Sequence, residues 1–284
     1  MAALAFALGS SLLWGVADFL GGLKSRTYAV AVVLATMYAS SLTAMAIIIV
    51  ARGEGPPGTQ AILAALGAGL VGVSALAAFY RALAIGTMSI VAPIASTGVA
   101  LPVIVGIAGG EDPGAMRAVG IVAAIVGVVL ASREDDAGTV GPREQRQSVL
   151  LALVAGLGFG SYFVGAEIAS RDDVGWALLL SRVSATPVMV AIAIVVLRRG
   201  MSVRPSASGF AALAAIGLCD LAANAAYNYA TTLGDLSVVS VASSLYPVTT
   251  VMLAAVVLGE RVRGMQRLGV VIALTGVVLI AAEG

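Results

Sequence analysis

Four polar side chains share one face of an otherwise apolar helix near residue 224. The i, i+4, i+7, i+8 spacing of a single helix face is followed by Asp220, Asn224, Tyr227 and Asn228. An ionisable residue inside an apolar span is expensive to keep in lipid, so it marks a functional site by default. The face points either at a water-filled cavity, which we favour, or at a partner helix in a hydrogen-bonded cluster.

Three other charged residues lie near the ends of apolar stretches, so each has two explanations. Asp18, Arg81 and Glu167 either line the same cavity or extend their charged ends to the membrane surface. The aromatic residues nearby carry polar atoms that need partners when buried. They are Trp14, Tyr80 and Tyr162.

Arg182 lies deeper in its apolar stretch than these three residues, so it needs a partner. The cations and carboxylates within the apolar stretches would form internal ion pairs, or would bind a zwitterion such as an amino acid. A carboxylate in a low-dielectric cavity binds protons more readily, so Asp220 or Glu167 is a candidate carrier of a coupling proton.

The composition identifies a polytopic membrane protein. Of the 284 residues, 60% are hydrophobic and 11% are charged, whereas about a quarter of a soluble domain is charged. Apolar runs long enough to cross a bilayer recur between short polar segments. We predict ten helical spans, at 3–22, 28–50, 60–84, 88–108, 114–132, 148–168, 175–197, 208–231, 236–258 and 265–282. Because spans 4 and 9 contain prolines, we expect both to be kinked or broken.

The chain repeats itself over half its length. Residues 115–130 and 264–279 are identical at 8 of 16 aligned positions, and both copies follow a Gly-Glu pair, at Glu111 and Glu260. We predict an all-α fold of two units, 1–132 and 148–284, joined by a linker at 133–147. Each unit has five spans, an odd number, so the second unit is inverted relative to the first.

The charges predict the orientation of the chain in its membrane. Eleven Lys and Arg residues lie in the odd-numbered loops and three in the even-numbered loops. Positive charges favour the cytoplasmic side, so both termini are expected outside the cell membrane. The absence of His and the single Cys219 remove the usual catalytic and metal-ligating groups. We expect no enzyme activity, no metal, no cofactor and no nucleic-acid partner.

The duplicated Gly-Glu pair, the Gly-Val-Val-Leu helix and the ten spans resemble the EamA-type drug/metabolite transporters. Span 9 fits that family's pattern, with Tyr246-Pro247 thirteen residues before Glu260, and we include Tyr246 among the site residues. The resemblance implies alternating-access transport of a small metabolite, often export, with a proton or counter-substrate as coupling partner. Small residues that include Gly120 and Gly269 form a stripe along one helix of each half. We expect these stripes to pack helices together, either within the chain or in a homodimer.

Two other functions remain open from the sequence. One is efflux of many drugs or of cationic compounds. An aromatic cavity would favour this function, but aromatic residues make up only 5% of the chain. A small polar solute, such as an amino acid, is therefore slightly preferred. An accessory membrane subunit that transports nothing is the other alternative.

Overall fold

The computed structural model describes residues 1–86, 88–112, 114–131 and 142–258, together with 264–265, 268–269, 271–272, 275–276 and 279. The described residues contain no β-strand. Glu260 and most of the predicted linker, 133–147, lie outside them, and the predicted tenth span, 265–282, is covered only in part. Topology is therefore described for the first nine predicted spans.

The described helices lie where the apolar runs predict them. They are α1 (Ala2–Lys24), α2 (Val30–Arg52), α3 (Thr59–Ile85), α4 (Met88–Ser96), α5 (Ala100–Ala108), α6 (Gly114–Ala131), α7 (Pro142–Ser170), α8 (Val174–Arg198), α9 (Ala207–Leu233), α10 (Leu236–Ser243) and α11 (Tyr246–Leu258). Helix α7 begins before the predicted residue 148. Its first residue is Pro142, and proline is favoured in the first turn of a helix.

The fourth and ninth spans are each broken into two helices, which confirms the prediction from their prolines. A 3-10 turn, Thr97–Val99, separates α4 from α5, and Ser244 and Leu245 separate α10 from α11. Pro102 and Pro247 lie in the first turn of the helix that follows each break. Proline has no backbone N–H to donate, so the first turn accommodates it without losing a hydrogen bond.

Six of the described helices are long and apolar enough to cross a membrane, namely α1, α2, α3, α7, α8 and α9. Shorter apolar segments cover Ile94–Ala108, Gly114–Gly127 and Leu236–Thr250. Large apolar side chains point outward, and Val50 and Val256 are more than 80% exposed. Helices that are apolar on their outer faces as well as inside are typical of membrane proteins.

The helices pair in a pattern that is preserved when the two halves of the chain are exchanged. Helix α3 packs along α7, and α1 packs along α9. Helix α3 also contacts α8, and the corresponding pair in the exchanged halves, α9 and α2, is likewise in contact. Helices α2 and α8 pack on each other. These pairs correspond under the exchange of spans 1–5 with spans 6–10. The packing of the described helices is therefore preserved under that exchange, with α2 and α8 in contact as a pair of counterparts.

Two glycine contacts repeat this correspondence at atomic detail. A Cβ on Gly69 of α3 would overlap the carbonyl oxygen of Ser181 in α8. A Cβ on Gly217 of α9 would overlap the carbonyl oxygen of Met37 in α2. Gly217 follows Gly69 by 148 residues, and the same offset matches residues 82–91 to 230–239, where Ala, Gly, Ser and Val recur at four positions. Small residues let two helix backbones approach closely in a membrane.

The loops at the helix ends contact one another in two separate sets. The Ala29 N–H donates to the Ser202 hydroxyl at 2.9 Å, which joins the first loop to the seventh. The Gly58 N–H donates to the Asp172 carboxylate at 3.1 Å, which joins the second loop to the sixth. The first and seventh loops thus meet at one end of the bundle, and the second and sixth loops at the other.

The even-numbered loops are tied together by carboxylates. Arg52 pairs with Asp173 at 2.6 Å. Burial alone would raise the pKa of Asp173, but hydrogen bonds from Arg52 and from the Trp176 N–H bring that pKa below its ordinary value. Glu111 accepts hydrogen bonds from the N–H groups of Leu236 (2.8 Å) and Ser237 (3.1 Å) at the start of α10. Glu111 is therefore a loop anchor, the interpretation that its place beside a helix-ending glycine favours, and a carboxylate suits a helix N-terminus.

Candidate functional site

A cavity lies in the middle of the bundle, where helices of both halves meet. Its walls come from α1, α2, α3, α7, α8, α9 and α11, and its lining residues are Trp14, Asp18, Tyr38, Gly72, Leu76, Phe159, Tyr162, Phe163, Arg182, Asp220, Asn224 and Tyr246. The cavity has a volume of about 50 Å³, enough to hold a few water molecules.

An ion pair forms the most buried polar contact of the cavity. The Arg182 Nη2 donates to the Asp220 Oδ2 at 3.0 Å, and the two side chains are 2% and 9% exposed. The Arg182 guanidinium lies over the Tyr38 ring, 4.5 Å from its centroid, an arrangement that attracts a cation to an aromatic face. The Arg182 Nε has no hydrogen-bond partner among the described residues. One N–H of this guanidinium therefore remains available for a further acceptor.

Asp18 is the second carboxylate of the cavity, and no described cation pairs with it. The residue is 6% exposed. The Tyr80 hydroxyl lies beside it and donates to the Ala17 carbonyl oxygen at 3.3 Å. Among the described lining residues, formal charges are carried by Asp18, Asp220 and Arg182. With all three ionised, the cavity holds one net negative charge.

A polar and aromatic network surrounds these charges. The Tyr162 hydroxyl donates a very short hydrogen bond to the Asn224 Oδ1, and the Asn224 Nδ2 donates to the Asp220 carbonyl oxygen at 2.6 Å. Phe163 stacks on Tyr227, with ring centroids 4.7 Å apart, and Trp14 lies 5.6 Å from each of these two rings. The network fixes the α7 and α9 side chains on one wall of the cavity.

The structure brings together seven of the twelve residues that the sequence predicts for the site. The seven that line the cavity are Trp14, Asp18, Tyr162, Arg182, Asp220, Asn224 and Tyr246. Tyr80 joins them indirectly, through Asp18. Tyr227 and Asn228 are buried behind the cavity, where the Tyr227 hydroxyl lies 3.1 Å from the Ser240 hydroxyl. The polar face of α9 thus divides, since only Asp220 and Asn224 reach the cavity.

Glu167 and Arg81 lie away from the cavity. Glu167 pairs with Arg171 at 2.8 Å, one helical turn later at the end of α7. Arg81 is exposed, near the end of α3. A charge within about a turn of a helix end reaches water at little cost. These placements agree with the alternative explanation, in which both side chains extend toward the membrane surface.

Five lining residues were not expected at the site, and the repeat explains them. They are Tyr38, Gly72, Leu76, Phe159 and Phe163. Each occupies the position in one half that a predicted site residue occupies in the other half. The five pairs of counterparts are Trp14 and Phe159, Asp18 and Phe163, Tyr38 and Arg182, Gly72 and Asp220, and Leu76 and Asn224. Counterpart positions of both halves therefore line the cavity, and its polar groups are distributed unequally between the halves.

The offsets between these counterparts come from the sequence and the glycine contacts. The offset of 148 residues relates α3 to α9, whose bounds match at both ends, Thr59 to Ala207 and Ile85 to Leu233. The offset of 144 residues relates α2 to α8. Gly69 faces Ser181 of α8 and its counterpart Gly217 faces Met37 of α2, so Met37 and Ser181 occupy equivalent positions. A search for the counterpart of each buried charge would have identified Tyr38 from the sequence.

Three comparisons with known proteins bear on the chain. The model of the EamA-like transporter family matches residues 1–133 and 146–282, one copy in each half. A solved structure titled "Crystal structure of protein" is similar with a TM-score of 0.76 over 99% of this chain and 96% of that chain, at 17% sequence identity. Similarity at this identity establishes a shared fold and no more. No curated protein matches the chain.

Proposed function

Because the chain belongs to the EamA-like transporter family and carries two EamA repeats, we propose that it moves a small zwitterionic solute of the amino-acid type across the membrane. The solute would bind in the central cavity, which would open to either side in turn. Export is the direction that the resemblance favours. The proposed architecture is ten spans in two inverted units, with both termini outside the cell membrane, and the two separate sets of loop contacts support the inversion.

One observation carries the choice of solute. Among the lining residues, the Asp18 carboxylate pairs with no described cation, and the Arg182 Nε–H has no acceptor in the described part of the chain. A buried polar group that lacks a partner costs free energy, so both groups favour a ligand that completes them. An amino acid does so with its ammonium and carboxylate groups. The internal pair of Arg182 with Asp220 keeps the remaining charges balanced while the solute is absent.

An organic cation is the second candidate, and the cavity walls favour it. Six of the twelve lining residues are aromatic, namely Trp14, Tyr38, Phe159, Tyr162, Phe163 and Tyr246. The low aromatic content of the whole chain thus conceals a local concentration. Aromatic faces and one net negative charge attract ammonium groups. An organic cation would pair with Asp18 but would offer no acceptor to the Arg182 Nε. An experiment can therefore distinguish an organic cation from a zwitterion.

The test compares three probes of the same size in a thermal-shift measurement on purified protein. L-leucine carries both charges, its methyl ester carries the ammonium group alone, and isocaproate carries the carboxylate alone. A ligand that binds only the folded state raises the melting temperature by mass action. We expect the largest shift with leucine. The largest shift with the ester would favour the organic cation, and no shift with any probe would favour an accessory subunit.

Variants locate the binding site of a responding probe. Asp18→Asn should remove the shift caused by the ester, and should reduce the shift caused by leucine at least tenfold in apparent affinity. Glu144→Gln is the matched control, because Glu144 is an exposed carboxylate at the start of α7. A leucine response that is unchanged in Asp18→Asn would exclude this cavity as the site. Reconstituted vesicles with internal leucine then test whether bound solute is also transported.

A further inference from the structure

The charge balance of the cavity singles out Asp18. On α9, the ionisable neighbours of Asp18 are Asp220 and Cys219, and on α2, α3 and α11 they are Tyr38, Tyr80 and Tyr246. Arg182, on α8, is the one cation among the described lining residues, and it already pairs with Asp220 and covers Tyr38. No described group therefore neutralises the Asp18 carboxylate.

This imbalance matters most when the cavity is empty. A transporter that alternates between two openings must close around its site, and closure removes the water that solvates a charge. A buried carboxylate without a partner is costly in such surroundings, and in membrane helices an unneutralised charge is especially costly. The empty transporter therefore needs a cation at Asp18 before it reorients. The smallest available cation is a proton.

We infer that Asp18 holds a proton when the cavity is empty and releases it when the ammonium group of a solute arrives, so that the protein exchanges solute for proton. The inference rests on the proposed function. The step balances simply: the O–H bond of the Asp18 carboxylic acid breaks, the proton passes to water, and the carboxylate pairs with the ammonium group. The sequence indicates Asp220 and Glu167 as carriers of a coupling proton. Asp220 already pairs with Arg182, however, and Glu167 pairs with Arg171.

The Tyr80 hydroxyl is placed to serve both states of Asp18. It donates to the Ala17 carbonyl oxygen at 3.3 Å, and the Asp18 carboxylate lies beside it. When Asp18 is ionised, the hydroxyl donates to the carboxylate. When Asp18 is protonated, the hydroxyl donates to the Ala17 carbonyl oxygen and accepts from the carboxylic acid. Tyr80 is thus a positioning residue, and Gly21 leaves room for its hydroxyl, because a Cβ there would overlap it.

The first test needs no solute, because the ligand is the proton. Infrared difference spectra of the reconstituted protein, recorded between neutral and alkaline pH, report the loss of protonated carboxyl groups. We expect a carboxylic-acid band at neutral pH that disappears in Asp18→Asn, persists in Glu144→Gln and changes frequency in Tyr80→Phe. Asp18→Asn has the shape and charge of the protonated residue, so it should fold. Wild-type protein without the band, or a band retained in Asp18→Asn, would refute the inference.

The second test separates this inference from the proposed function. Addition of leucine to wild-type protein should remove the carboxylic-acid band and release about one proton per bound solute. If leucine raises the melting temperature while the band persists, the exchange is wrong and the zwitterion function stands. If neither leucine nor its ester binds, the proposed function fails, whereas the infrared band still decides whether Asp18 holds a proton.

Discussion

At the scale of single residues, the pair of Arg182 and Asp220 should dominate the stability of the cavity. Arg182→Gln would leave the buried Asp220 carboxylate without its cation, and we expect it to lower the free energy of unfolding by about 3–5 kcal/mol. The double variant Arg182→Gln/Asp220→Asn removes both charges of the pair and should recover most of this loss. Unfolding in mixed micelles measures both. Equal stability of Arg182→Gln and wild-type protein would show that the pair is not buried as described.

The sequence identifies the charged residues of the site and misses most of its neutral ones, for a physical reason. Arg182 and Asp220 stand out because a charge in an apolar run has no packing role to explain it. Tyr38 and Phe163 do not stand out, because aromatic residues in such runs are usually packed core. Depth along the helix also matters for charges, since Glu167 and Arg81 are the charged candidates nearest to helix ends, and both lie away from the cavity.

At the scale of helices, the closest crossings depend on glycines that the repeat has copied. Gly69→Ala and Gly217→Ala would each press a methyl group against a facing backbone carbonyl. Overpacking of this kind costs about 1–3 kcal/mol, and we expect similar losses from both variants. The control is Gly67→Ala in the same helix, where a Cβ meets nothing within 4 Å. It should be neutral or stabilising by up to about 1 kcal/mol, because alanine favours helix.

These three variants are compared by unfolding in mixed micelles. A loss in Gly69→Ala without a loss in Gly217→Ala would contradict the correspondence between the two crossings.

The length of the apolar runs predicts the described helices well, because a membrane span must satisfy its backbone hydrogen bonds internally. The division of the α9 face could not be predicted in this way. Helical spacing places Asp220 and Asn228 on one face, but the packing of α1 and α7 decides which of them reaches the cavity.

At the scale of the whole molecule, an inverted repeat requires that each loop of one unit and the corresponding loop of the other lie on opposite sides of the membrane. The contacts between loops agree with this requirement, because Ala29 meets Ser202 while Gly58 meets Asp172. The excess of arginine in the odd-numbered loops then predicts which side is cytoplasmic. The residue counts and the loop contacts are independent observations, one of charge and one of packing.

Cysteine labelling in intact cells tests this orientation. Cys219 is first replaced by alanine, and the two probes are Gly55→Cys in the second loop and Met201→Cys in the seventh. Met201 is 67% exposed, and a Cβ on Gly55 meets nothing within 4 Å, so neither substitution should disturb the fold. We expect a membrane-impermeant maleimide to label Gly55→Cys in intact cells and Met201→Cys only after the membrane is opened. The reverse pattern would invert the orientation and keep the repeat. Labelling of both residues from one side would be incompatible with two inverted units. The cavity could then no longer be treated as a site lined by corresponding positions of two such units.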